Sequence, residues 1–96
     1  MKVNFFATLR QVVGTKTVNI PLGEGANIRQ LIEEMLLRYP GLETQLLDEQ
    51  GELRQHVRII VNGRDAFLLE NALETPLTPD GIVSIFPAIG GGSLHW

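Results

Sequence analysis

Few residues in this chain have the types and spacing that chemistry needs, and most of them drop out on inspection. Gly90-Gly91-Gly92 stands near the C-terminus, followed by Ser93-Leu94-His95-Trp96. Glycine alone adopts unusual dihedrals at little cost, so three in a row make a thin, pliable segment able to enter a narrow channel. Glycine-rich runs also cradle phosphates, but this one lacks the lysine and the following helix that such loops use. His56 and His95 are too sparse for a metal site, with no cysteine and no helical His-x3-His spacing, so no metal ligands are expected. Glu33-Glu34 and Asp48-Glu49 are adjacent pairs. Neighbouring carboxylates diverge instead of meeting at one point, so they read as solvated faces and turns, and no catalytic acid or base is expected. The absence of cysteine removes disulfides, iron–sulfur ligation and thiol catalysis.

The bulk properties narrow the class further. At 96 residues the chain is one domain, with room for one modest core and little for a deep pocket. A net charge of -3 argues against nucleic-acid binding, which calls for a basic patch. No stretch approaches the roughly 18 apolar residues of a membrane span, and MKVNFFATLR lacks the apolar run and cleavage site of a signal peptide. The expectation is a cytoplasmic protein with no nucleic-acid or membrane partner.

Something must hold the glycine run at a defined place, and the pattern of apolar residues says what. KVNFFATL alternates, with Val3, Phe5, Ala7 and Leu9 on one face of a strand. TKTVNIPL alternates again through Val18, Ile20 and Leu22, and RQVVG between them reads as the short loop of a hairpin. Ile28, Leu31, Ile32, Met35, Leu36 and Tyr39 then recur with a helical period. Asn27 and Gln30 fit a capping box at its start, and Pro40-Gly41 ends it. GLETQLL adds a helical turn with Leu42, Leu46 and Leu47 inward, and DEQGEL is a polar turn. VRIIVNGRD is a strand running into an Asn62-Gly63 turn, FLLENALETPLTPDG is irregular, and IVSIFPA is a last strand ended by Pro87. A helix between strands lets the first and last strands lie parallel in the sheet centre. The predicted fold class is therefore α+β: a β-grasp, ubiquitin-like roll, with a mixed sheet of four to five strands and one main helix on one face.

In order, VNFFATLR, LLRYPGL, LLDEQGELRQHVRIIVNG and TPLTPDGIVSIFPAIGGG resemble the MoaD and ThiS type of ubiquitin-like sulfur carrier proteins. The resemblance covers nearly the whole chain and is nearest to the CysO-like branch. It implies a β-grasp domain over 1–89 and a glycine-rich tail over 90–96. Members characteristically end in Gly-Gly, which places the sulfur-carrying end at Gly91 and Gly92, with Gly90 as spacer. Here SLHW follows. Carriers resembling this branch include some with a short extension that a zinc-dependent JAMM-type metallopeptidase removes, which implies a cleavage site between Gly92 and Ser93.

The chemistry implied by the resemblance is coherent. An E1-like adenylating enzyme, using its own ATP and Mg²⁺, gives the exposed carboxylate a leaving group. A persulfide sulfur then attacks the carbonyl, and the resulting thiocarboxylate delivers sulfur to an accepting synthase in cysteine or thio-metabolite biosynthesis. The carrier is no enzyme and needs no cofactor of its own. Phe86 and Pro87, just before the tail, match the position at which this family presents an aromatic to partners, and an apolar anchor there would set the register of the tail. The bland alternative is that Phe86 is core. Three other functions remain open: the small subunit of molybdopterin synthase, a protein modifier joined to target lysines, and an unprocessed interaction module. With only Lys2 and Lys16 as lysines, a modifier would have few acceptors for chains of itself.

Overall fold

A computed structural model of the chain describes residues 1–87. Its elements are β1 (Lys2–Phe5), α1 (Thr8–Val13), β2 (Thr17–Asn19), α2 (Ile28–Arg38), α3 (Leu42–Leu46), β3 (Arg58–Val61), β4 (Arg64–Asp65) and β5 (Ile82–Phe86). Two short 3₁₀ turns, Ala66–Leu68 and Ala72–Glu74, punctuate the otherwise irregular stretch before β5. The sheet has five strands in the order β2-β1-β5-β3-β4. β1 and β5 are parallel at its centre, Val3 beside Val83 and Phe5 beside Ile85, and the other pairs are antiparallel. This is the expected β-grasp.

Strand parity sorts the sheet into two faces. Val3, Phe5, Ile59, Val61, Val83 and Ile85 point to one side and are buried there against Ile28, Leu31 and Met35 of α2. The Phe5 ring meets Tyr39 edge-on, with centroids 6.5 Å apart, which joins the sheet to the end of α2. α2 begins with the expected capping box: Asn27 Oδ1 accepts from the Gln30 N–H, and Gln30 Oε1 accepts from the Asn27 N–H. Glu74 fastens the same turn from outside, accepting from Arg29 Nε at 2.6 Å and Asn27 Nδ2 at 3.1 Å. The hydrogen bond to Glu74, and then its charge, hold the Arg29 guanidinium above its ordinary pKa. At Asn62-Gly63 both residues have positive φ, 49° and 86°, so the turn follows the right-handed twist of the strands it joins.

The first hairpin departs from expectation. β1 and β2 do pair, Lys2 with Asn19 and Asn4 with Thr17, but the connection is the helix α1 and not a loop. Phe5, at the end of β1, and Leu9, on the inward side of α1, are both fully buried, a spacing that alternation also fits. Ala7, expected inward, is exposed at the junction with φ 54° and ψ −131°, a region open to glycine and costly for alanine. Gly14 ends α1 in the left-handed conformation, its N–H donating to the Arg10 carbonyl at 2.7 Å. The second strand is shorter than expected, since Pro21 follows Ile20; Ile20 is buried and its N–H still reaches the Met1 carbonyl.

The strain at Ala7 gives a test of this geometry. Ala7→Gly relieves it and should stabilise the protein by about 1 kcal/mol after the added freedom of the unfolded chain is subtracted. Thermal denaturation should show a rise of roughly 4–8 °C. An unchanged or lower melting temperature would mean that the chain reversal at Ala7 is wrongly described.

Candidate functional site

β5 lies in the middle of the sheet, anchored on both sides, so its last residue is a fixed point. That residue is Phe86. Parity turns it to the face opposite α2, together with Ser84 and the exposed Ile82. Phe86 is half-buried, and what covers it is a second ring, not the core. Phe6 stacks on it with centroids 4.2 Å apart and planes inclined by 12°. The Phe6 N–H donates to the Ile85 carbonyl at 3.2 Å, extending the β1–β5 pairing by one bond and bringing the two rings together.

Arg10 completes the arrangement. Its guanidinium carbon sits 5.2 Å from the Phe6 ring centroid, and its Nε donates to the Phe5 carbonyl at 2.8 Å. The cation lies over the face of Phe6 while its hydrogen bond fixes where it stands. α1 therefore has a specific task. The reversal at Ala7 sends Leu9 into the core and returns Arg10 over the aromatic pair.

The surrounding open face of the sheet is mixed: Ile60 and Ile82 share it with the polar Asn4, Thr17 and Ser84 and the cationic Lys2 and Arg58. Register places Arg58 beside Phe86, Ile60 beside Ser84 and Lys2 beside Ile82. Arg58 is offset by Asp65, 3.3 Å away on β4. Such a surface can hold a protein partner through an aromatic anchor with a polar rim. Among the described residues it offers no convergent carboxylates. Among the described residues no three His, Cys, Asp or Glu side chains gather where a metal could be held. Also among them, no helix is long and apolar enough to cross a membrane.

Of the residues singled out by sequence, Phe86 is at this site and is not a core residue. Pro87 is buried and contributes chain direction more than surface. Gly90, Gly91, Gly92 and Ser93, with the whole of 90–96, lie outside the described residues. Gly92 comes six residues after Phe86, a reach of at most about 20 Å. Phe6 and Arg10 were missed. Phe6 had a signal in the alternation itself, which puts it opposite Phe5; Arg10 had none, because its place depends on a helix the pattern concealed.

Comparison with known proteins is consistent along the chain. The ThiS family model matches residues 3–92. Small archaeal modifier protein 3 of Haloferax volcanii is 34% identical over 92 residues, covering 96% of this chain and 98% of its own. Among solved structures, small archaeal modifier protein 1 (SAMP1) of the same organism superposes with a TM-score of 0.83 at 27% identity, covering 96% of this chain and 98% of its own. CysO of Amycolatopsis orientalis, in its complex with BexX, gives 0.73 at 26% identity, covering 95% and 98%.

Proposed function

The chain belongs to the ThiS family of ubiquitin-like sulfur carriers and modifiers, and from that premise we propose that it carries sulfur on the C-terminal carbonyl of Gly92. The observation that carries this reading is that the family match stops at Gly92 and leaves Ser93–Trp96 beyond it. Hydrolysis of the Gly92–Ser93 bond by a JAMM-type metallopeptidase exposes a carboxylate on a residue with no side chain. An E1-like enzyme joins it to AMP with release of pyrophosphate. A persulfide sulfur displaces AMP, a thiol then cleaves the S–S bond to leave a thiocarboxylate, and that end gives its sulfur to an accepting synthase of cysteine or thio-metabolite biosynthesis in the cytoplasm.

The carrier's part in this is presentation. Gly91 and Gly92 make the end thin enough to enter the activating site, with Gly90 as spacer. Phe86, backed by the Phe6 ring over which Arg10 sits, sets the distance from which the tail is offered. An anchor that holds tail and enzyme in register converts a search by a free end into a short-range encounter.

A second reading has its own support. Similarity to small archaeal modifier protein 3 favours a modifier, in which activated Gly92 passes to a lysine amine of another protein and AMP or the sulfur leaves. Both readings require the same processed and activated end.

Intact mass spectrometry of the full chain, incubated with soluble extract of its source, tests the common step. The expected mass lacks Ser93–Trp96 and shows one oxygen replaced by sulfur. A chain that keeps all four residues, in an extract shown to process another carrier, would sink the proposal. Conjugates ending in an isopeptide bond from Gly92 would select the modifier reading over sulfur delivery.

A further inference from the structure

The side of α2 that faces away from the sheet borders an open groove. It holds about 870 Å³ between the turn at Gly23–Ala26, the outer face of α2 and the start of α3. Its walls combine two chemistries. Leu37 is 78% exposed, the most solvent-exposed large apolar side chain of α2, and Leu22 and Leu36 lie half-buried beside it. Glu24, Glu33, Glu34 and Glu43 also line the groove, and no lysine or arginine does. Only Glu34 among them has an ion-pair partner among the described residues, Arg38 at 3.1 Å.

We propose that this groove docks a basic amphipathic helix of a partner protein, with leucine-like side chains against Leu37, Leu36 and Leu22 and lysine or arginine heads against Glu24, Glu33 and Glu43. Charge decides the class of partner. Four carboxylates repel the phosphates of nucleic acid and of an anionic membrane surface. They do not gather into a metal site either, since no three acidic side chains converge. An exposed leucine among carboxylates is matched by a segment that is apolar on one side and cationic on its flanks. The wall from Gln30 to Leu37 spans about 10 Å along the helix axis, two turns, so a facing helix of two to three turns fills it.

This surface is distinct from the aromatic site, and the proposal goes beyond the sulfur-carrier reading. The buried stripe of α2, Ile28, Leu31, Ile32 and Met35, faces the sheet, so Glu33 and Leu37 look away from it. Phe6 and Phe86 occupy the opposite face of that sheet. One partner can therefore hold the groove while another takes the tail, which suits a carrier that is passed between proteins.

The test uses the full-length ¹⁵N-labelled chain and, as probe, an amidated helical peptide of leucine and lysine about 14 residues long with its leucines on one side. The expected result is saturable binding with amide shifts at Gly25, Glu33 and Leu37 and none at Phe6, Ser84 or Phe86. Affinity should fall at least roughly tenfold between about 50 and 300 mM NaCl, as for exposed charges. A Leu37→Asn chain and a Glu24→Lys/Glu33→Lys chain should each weaken binding by about the same factor. Both keep a native spectrum, because the altered side chains are exposed. A peptide with glutamate in place of lysine should not bind. Shifts on the sheet face, equal binding of both peptides, or no binding at all would each overturn the proposal. None of these readouts involves sulfur, so failure here leaves the carrier reading standing.

Discussion

Gly92→Phe should fold like the unaltered chain and gain no sulfur. Folding should be spared because the core cluster among the described residues is already complete in outline between Met1 and Ile85. The loss at the tail follows from the step itself. Adenylation needs the carboxylate at bonding distance from the α-phosphate of ATP, and misplacing reacting atoms by about 1 Å costs on the order of a hundredfold in rate. A benzyl group at the last position should hinder approach of the sulfur nucleophile to the carbonyl. Thiocarboxylate formation, followed by intact mass, should fall at least about a hundredfold while the melting temperature stays within a degree or so. A chain terminated at Gly92 is the matching control: it should gain sulfur with no peptidase present. If Gly92→Phe still acquired sulfur on its end, the assignment of the working residue would be wrong.

That prediction stands on a part of the protein whose proposed role comes only through resemblance. Three glycines imply a thin, adaptable segment, but nothing in their spacing says adenylate or sulfur. The family supplied that, and the match ending at Gly92 supports it. The main helix was legible for the opposite reason: its apolar stripe, its Asn27–Gln30 box and its Pro40 stop all agree, and agreement among local signals is what specifies an element. α1 was hidden because Phe5, Ala7 and Leu9 satisfy a period of two. A period of two puts residues i and i+4 on one face whether or not a helix has begun between them, so a short helix following a strand is ambiguous until its contacts are known. The sheet site falls between these cases. Parity fixes that Phe6 points away from Phe5, and the β5 pattern fixes that Phe86 and Ile85 differ, yet only the parallel register of β1 on β5 brings the two outward rings together. Register is tertiary information, set by the shared core and not by either strand.

The aromatic pair carries the second large effect. If Phe86 anchors the carrier on its activating enzyme, Phe86→Ala should lower kcat/KM for adenylation by roughly 30-fold, the loss of about 2 kcal/mol that marks an interface hot spot. The fall should appear mainly in KM. Docking is present in the bound and the activated complex alike, so its removal weakens binding more than it slows the step. Phe6→Ala should act in the same direction, since it strips the ring on which Phe86 rests. The two changes together should cost less than their sum, because each single change already breaks the stack, and such pairs couple by about 0.5–1.5 kcal/mol. Arg10→Leu separates support from contact. It retains Phe6 and Phe86, loses the cation over Phe6 and the bond to the Phe5 carbonyl, and should give a smaller rise in KM of about threefold. Melting curves on each variant guard against loss of fold. Stable single variants with kcat/KM within twofold of the unaltered protein would remove Phe86 and Phe6 from the interface, and the open sheet face would then need another explanation for its exposed Ile82.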